Sequence, residues 1–418
     1  MQNTLRVRLA ATAVAAVAVF GGIAVGTAAE PAAATWDTGW SAAPQSPSIG
    51  FEPNWAQDGF DNQTVRQVVR VTDGGTAARI TLSNLFGATP LRVDRVTIAR
   101  AATGAAVDPN SLRELTFDGR AAAEIPAGQT LTSDAADLNL AAMDSVGVTL
   151  YLAGPTGPAT FHSQAYASTY RAAGDHVADP AAAPFTETTH SWYYLTDVQV
   201  FGSAEADGGT IVTVGDSITD GFGSTYDTNT RYPDRLAQRL AEAGTPRPVL
   251  NAGIGGNLIL NDSAWFGAAA VRRFERDVLA KPDVSSVIVL GGLNDFGFSE
   301  VDLPTYKPNP EVSVAQLIAG HRQLIAAAHR AGVRIVGATL LPMKGAEYYT
   351  EKSAAKIREF NQWLRTSGEY DAVVDFHAAV RDPADPENLA PAFDSGDHKH
   401  PNAAGYRAMA DAIDLAQL

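Results

Sequence analysis

Four short stretches of this chain collect the residue types that acyl transfer requires. They are Gly215-Asp216-Ser217-Ile218-Thr219-Asp220-Gly221, Asn251-Ala252-Gly253-Ile254-Gly255-Gly256-Asn257, Gly291-Gly292-Leu293-Asn294-Asp295 and Asp397-His398-Lys399-His400-Pro401-Asn402. A serine in a Gly-flanked turn behind an apolar strand can expose its hydroxyl near a helix N-terminus. Glycines allow backbone N–H groups to approach a ligand closely. The N–H of Ser217, the N–H of Gly256 and the side-chain amide of Asn294 could thus present three donors to an oxyanion, each worth about 10²–10³ in rate. His400 would take the proton of Ser217. Asp397, three residues earlier, can reach the other imidazole nitrogen and set its tautomer. Asp394 and His398 offer a second pairing of the same kind, and Pro401 suits the first turn of a closing helix.

The remaining polar residues have quieter readings. Asp216 supports the turn by hydrogen bonding, behind the reacting groups. Asp295 is a local structural carboxylate. Asn257 is a candidate for lining the pocket. His162, His176, His190, His321, His329 and His377 show no ligand spacing and read as surface or internally satisfied residues. Ser353 and Lys356 match an S-x-x-K pattern in mid-helix, without its companion motifs. The acidic loop 382–388 lacks EF-hand spacing and reads as solvated. No G-x-S-x-G elbow, H-E-x-x-H helix or Walker A loop occurs. Trp265 and Phe266, Phe296 and Phe298, and Tyr348 and Tyr349 follow successive strands. They serve either as packing or as a wall for a sugar or acyl group.

The elements that must position these groups divide the chain in two. Residues 36–201 carry short alternating runs at 64–71, 78–83, 92–98, 145–152 and 195–201, punctuated by Gly, Pro and Asp. That grammar predicts a β-sandwich or jelly roll. Residues 202–209 are small, polar and Gly-rich, and read as a linker. From 210 to 418 strand and helix alternate about five times. Strands are predicted at 211–214, 249–251, 284–290, 333–338 and 372–375, and helices near 233–243, 268–279, 313–331, 351–365 and 403–416. This is the pattern of an α/β doubly wound parallel sheet, with its site at the carboxyl ends of the strands. All four polar stretches fall there.

Composition narrows the chemistry. The 418 residues are 45% hydrophobic and 18% charged, which suits sizeable cores. A net charge of −15 with no basic run argues against nucleic acid and anionic membranes as partners. The absence of cysteine removes disulfides, thiolate metal sites and thiol nucleophiles. Arg6 and Arg8, an apolar run at 9–25 and small residues to Ala29 or Ala34 read as a secretory signal peptide over residues 1–34. A retained membrane anchor is the alternative.

The four stretches together resemble the SGNH, or GDSL-like, hydrolases over residues 210–418. The G-D-S block is Gly215-Asp216-Ser217, the second-block glycine is Gly256, the G-x-N-D block is Gly292-Leu293-Asn294-Asp295, and the D-x-x-H-P block is Asp397 to Pro401. Ile218 stands where the family's name records Leu. The D-x-x-H-P spacing selects Asp397 with His400 over Asp394 with His398. The resemblance implies a flavodoxin-like hydrolase fold, no metal or organic cofactor, and carboxylic ester hydrolysis through an acyl-serine. It implies Ser217, Asp397 and His400 as the triad, with an oxyanion hole from Ser217, Gly256 and Asn294. The β-rich half is similar to the N-terminal domain of some secreted SGNH esterases, on phrases at 40–45 and 62–66. The expected function is removal of short acyl groups, acetyl above all, from a small-molecule or polysaccharide ester by an exported protein not stably bound to membranes. A lipid esterase, a carbohydrate-binding protein with an inactive hydrolase half, and acyl transfer to an alcohol stay open. So does the oligomeric state.

Overall fold

Alternation of β-branched and polar residues gives the first half its strands, and the buried positions of those strands show which faces meet. The structure is a computed structural model that describes residues 35–202, 208–307 and 309–418. The expected signal peptide and most of the expected linker lie outside these residues. One antiparallel sheet runs Trp36–Ser41, Leu195–Phe201, Gly75–Ser83, Thr130–Thr132, with Ala136–Leu140 also paired to Gly75–Ser83. A second runs Glu187–Thr189, Thr169–Ala173, Gln63–Arg70, Ser145–Leu152, Arg95–Arg100, Arg113–Leu115. Ile80, Leu82, Val198 and Val200 of the first sheet share one buried core with Val65, Val69, Ile98, Val148 and Leu150 of the second. The β-rich half is therefore a two-sheet sandwich.

One strand departs from expectation. The run at 92–98 is not continuous but splits into Leu91–Val93 and Arg95–Arg100, which pair with different partners. Asp94 makes the break: its carboxylate takes the Ala153 N–H at 2.9 Å, while its own N–H bonds the Tyr151 carbonyl at 3.0 Å.

The second half has a five-stranded parallel sheet in the order Val249–Gly253, Thr210–Gly215, Val284–Leu290, Arg334–Ala338, Ala372–Val374. By chain order this is 2-1-3-4-5, the flavodoxin-like arrangement, and it reverses between the first and third strands. Their apolar residues, such as Ile211, Val212, Val287 and Ile288, are buried against helices Tyr232–Glu242, Val314–Arg330, Glu351–Thr366 and Ala403–Asp411. Ser313 caps Val314–Arg330 through its hydroxyl, with Gln316 completing a capping box. Thr350 and Ser353 do the same for Glu351–Thr366, so Ser353 serves the helix start. Two expected helices are shorter. The stretch 268–279 is a single α-helical segment, Ala270–Phe274, followed by a π turn, Glu275–Leu279. The closing helix ends at Asp411, and Leu415–Gln417 is a separate 3-10 turn. Asn402 is its N-cap, so Pro401 lies just before the helix rather than in its first turn.

The described residues form one compact unit. The Thr72 hydroxyl accepts the Val249 N–H at 3.0 Å and donates toward the Val249 carbonyl at 3.1 Å, joining sandwich to parallel sheet. Asp197 of the sandwich pairs with Lys281. Among the described residues no helix is long and apolar enough to cross a membrane.

Candidate active site

Ser217 opens the four-residue helix Ser217–Asp220 directly behind the strand Thr210–Gly215. Asp216 caps that turn, its carboxylate accepting the Ile218 N–H at 3.0 Å. The cap holds the nucleophile candidate at a helix start at the reversal point of the sheet. Ser217 Oγ lies 2.7 Å from His400 Nε2, and His400 Nδ1 lies 2.5 Å from Asp397 Oδ2. Asp397 Oδ1 also accepts the backbone N–H groups of His400 at 2.9 Å and Lys399 at 3.1 Å, which locks the carboxylate against the ring. The alternative pair forms as well, with His398 Nδ1 2.7 Å from Asp394, but His398 is 55% exposed at the cavity rim and the serine hydroxyl meets His400.

Gly256 sits at φ +73°, and a Cβ there would collide with the ring of Phe266. Only glycine satisfies both demands. Asn294 is fixed from two sides. Its Nδ2 donates to the Asn257 carbonyl at 3.1 Å, and its Oδ1 accepts the Tyr348 hydroxyl at 3.2 Å. A primary amide has two N–H groups, so one is left for the cavity that Asn294 lines. Asn257 does not line the cavity. Its side chain donates to the carbonyls of Phe266 at 2.7 Å and Ala268 at 2.9 Å and accepts from Arg273 at 3.0 Å. Asp295 accepts the N–H groups of Ile259 at 2.9 Å and Leu260 at 3.1 Å, pinning the loop that follows Gly256.

Ser217, Gly256, Asn294, Asp397 and His400 line one cavity of about 550 Å³. Phe51, Phe222, Phe298, Tyr306 and Tyr348 form much of its wall, and Glu347 pairs with Lys399 at 2.8 Å within it. Of the flagged aromatics, Phe298 and Tyr348 reach the cavity. Phe266 packs behind Gly256 and Phe296 is in the core. Phe51 comes from the sandwich half and no sequence signal marks it. Tyr348 does carry a signal, since it follows the fourth parallel strand at the same sheet edge.

Burial shifts the ionisable groups. It lowers His400 below its ordinary value of 6.5, against the raising influence of Asp397, so the imidazole is neutral and able to accept a proton. Burial would raise Asp397, but the hydrogen bond and charge of His400 and two backbone N–H groups outweigh it and hold the carboxyl well below its usual range. Burial pushes Asp216 up to about 7, opposed by the Ile218 N–H and reinforced by Asp295 and Asp220. It pushes Asp295 up to about 6 against the backbone N–H groups of Ile259, Leu260 and Asp295 itself. Burial also keeps the Tyr348 phenol protonated, as its donation to Asn294 requires.

Residues 213–408 match the GDSL-like lipase/acylhydrolase family. Among solved structures the chain is similar to a protein assigned to the G-D-S-L lipolytic family from Desulfitobacterium hafniense, at 21% identity and TM-score 0.37 over 49% of this chain and 97% of that one. It is similar to an acetylxylan esterase from Geobacillus stearothermophilus at 24% identity and TM-score 0.38, over 50% of this chain and 93% of that one. It is also similar to an α/β hydrolase enzyme from the metagenome of Lake Arreo, Spain, at 21% identity and TM-score 0.38, over 50% and 94%. No curated protein matches the chain.

Proposed function

We propose that this chain, whose residues 213–408 match the GDSL-like lipase/acylhydrolase family, is a serine ester hydrolase with Ser217 as its nucleophile, and that it removes short acyl groups from carbohydrate esters. The observation that carries the reading is the unbroken line from Ser217 Oγ through His400 to Asp397, at 2.7 and 2.5 Å, beside Gly256 and Asn294 in one cavity.

Ser217 Oγ attacks the ester carbonyl carbon while its proton passes to His400 Nε2. The carbonyl oxygen becomes an oxyanion facing the N–H groups of Ser217 and Gly256 and the free N–H of Asn294. Collapse breaks the bond to the alkoxy oxygen, which leaves with the proton from His400. Water then loses a proton to His400 and attacks the acyl-serine, and the second collapse returns that proton to Ser217. Asp397 stays ionised throughout and stabilises the transient imidazolium.

Cavity chemistry supports the alcohol side of the proposal. Aromatic rings interleaved with the Glu347–Lys399 pair and the Tyr306 hydroxyl, which donates to Glu347 at 2.6 Å, suit a ring-shaped polyhydroxy alcohol. The volume of about 550 Å³ leaves room for such a ring with a short acyl group. The signal pattern in residues 1–34 supports export toward such a substrate.

Hydrolysis of p-nitrophenyl esters from acetyl to palmitoyl, together with acetate release from an O-acetylated polysaccharide, tests this. Turnover should be greatest for acetyl, and Ser217→Ala should lower kcat by about 10³-fold or more with the fold intact. Turnover that climbs with chain length would replace the carbohydrate reading with a lipid one. Full activity in folded Ser217→Ala would remove Ser217 as nucleophile.

A further inference from the structure

His162 belongs to the sandwich half, yet it is completely enclosed against the hydrolase site. Its Nδ1 lies 2.9 Å from the Ala43 carbonyl and its Nε2 lies 2.9 Å from Asp220 Oδ1. A carbonyl oxygen can only accept, so Nδ1 carries a hydrogen. Nε2 faces a carboxylate, so a proton is held there too, shared between ring and carboxyl. The pair is 4% and 2% exposed. Burial alone would favour the neutral ring, but the charge of Asp220 and both hydrogen bonds outweigh it and raise His162 above 6.5, against a lowering from nearby Arg231.

Asp220 ends the helix that Ser217 begins. Its second oxygen, Oδ2, accepts the Gly255 N–H at 2.8 Å, one residue before Gly256. Two residues after His162, Gln164 packs directly over Gly255, where a Cβ would collide with its amide oxygen. The sandwich segment 162–164 therefore grips the Gly255–Gly256 turn twice, once through Asp220 and once by contact.

We propose that His162 is a positioning residue of the ester hydrolase site: through Asp220 it sets the Gly255–Gly256 turn that presents the Gly256 N–H to the oxyanion. This rests on the assignment of Gly256 as an oxyanion donor. A donor aimed at the oxyanion loses most of its effect when displaced by about 1 Å. The sandwich is on this view part of the catalytic unit and more than a substrate-binding attachment.

The charge logic supplies a rescue. In Asp220→Asn the amide oxygen can still accept the Gly255 N–H, while its NH₂ donates to His162 as the neutral Nδ1–H tautomer. Asp220→Ala offers neither contact. Steady-state kinetics on p-nitrophenyl acetate, affinity for a boronic acid as oxyanion mimic, and thermal unfolding are measured on the full chain. His162→Leu and Asp220→Ala should lower kcat about 10- to 100-fold with KM within about twofold, and weaken boronate binding in parallel. Asp220→Asn should stay within about threefold of the parent. Lys281→Ala, which removes a different contact between the halves, should leave kcat and boronate affinity unchanged. The proposal is overturned if folded His162→Leu keeps kcat and boronate affinity, or if Asp220→Asn falls as far as Asp220→Ala. Should His162→Leu not fold, the Asp220 pair decides alone. Ser217→Ala separates the two levels: if it is inactive while His162→Leu is fully active, only this inference fails, whereas an active Ser217→Ala fails the reading beneath it.

Discussion

His400 sits between two opposing influences, and their balance has a measurable sign. Burial favours the neutral imidazole, and Lys399 adds to it, while Asp397 pulls toward the charged form; the net shift is downward from 6.5. Only the neutral ring can accept the Ser217 proton. Acidification through the lowered value therefore removes activity, and kcat/KM measured from about pH 4 to 8 should be level above 6.5 and fall along a limb centred below it. A limb centred above 6.5 would contradict the buried, neutral base. Asp216 behaves differently. It is raised to about 7, yet it caps the helix that Ser217 opens through an N–H bond that either protonation state accepts. The chemistry at this scale depends on which groups are enclosed as well as on which residues are present.

Among the elements, the carboxyl ends of the first two parallel strands are held by Arg273, a fully buried guanidinium from the short helix Ala270–Phe274. It donates to the carbonyls of Gly215 at 3.0 Å and Ala252 at 2.6 Å, to Asn257 at 3.0 Å, and pairs with Asp277 at 3.4 Å. Replacing it with Met removes all four contacts and leaves Asp277 paired with the partly exposed Arg276. Urea unfolding of Arg273→Met should show a loss of about 3–5 kcal/mol, with turnover reduced beyond what the unfolded fraction explains. A loss below about 1 kcal/mol would mean the strand ends are held by the sheet alone. Arg273 also marks where the sequence stops being readable. The parallel strands are legible because burial on both faces writes apolar runs such as 287–290, the buried end of Val284–Leu290. Ser217, Gly256 and Asn294 are legible because each follows a strand end within a Gly-rich motif, and Asp397 and His400 because of their D-x-x-H-P spacing. The break at Asp94, the π turn after Phe274, and the contacts of Arg273 and His162 are set by partners far away in the chain. No local spacing announces them, and a buried histidine reads the same whether its partner is structural or sits beside an oxyanion donor.

Across the whole molecule, sandwich and parallel sheet share polar contacts that are themselves buried. Thr72 is the plainest case, since one hydroxyl serves the Val249 N–H and, as donor, the carbonyls of Gly39 at 3.0 Å and Val249 at 3.1 Å. Thr72→Val keeps the shape and leaves the Val249 N–H unsatisfied. Chemical denaturation should show about 1–3 kcal/mol of destabilisation, with kcat within about twofold because the site lies at the other end of that strand. A larger fall in kcat than in stability would show that this junction, too, governs the turn at Gly256. The contact between Ser217 and His400 joins residues 183 positions apart. Closing so long a loop is entropically late, and nothing local stabilises the pair before the sheet and its flanking helices have docked. If His400 is the base of Ser217, refolding should restore secondary structure before that pair forms. On that reading, ester turnover should return only with the last assembly event, and an incompletely folded chain should be silent toward esters instead of weakly reactive.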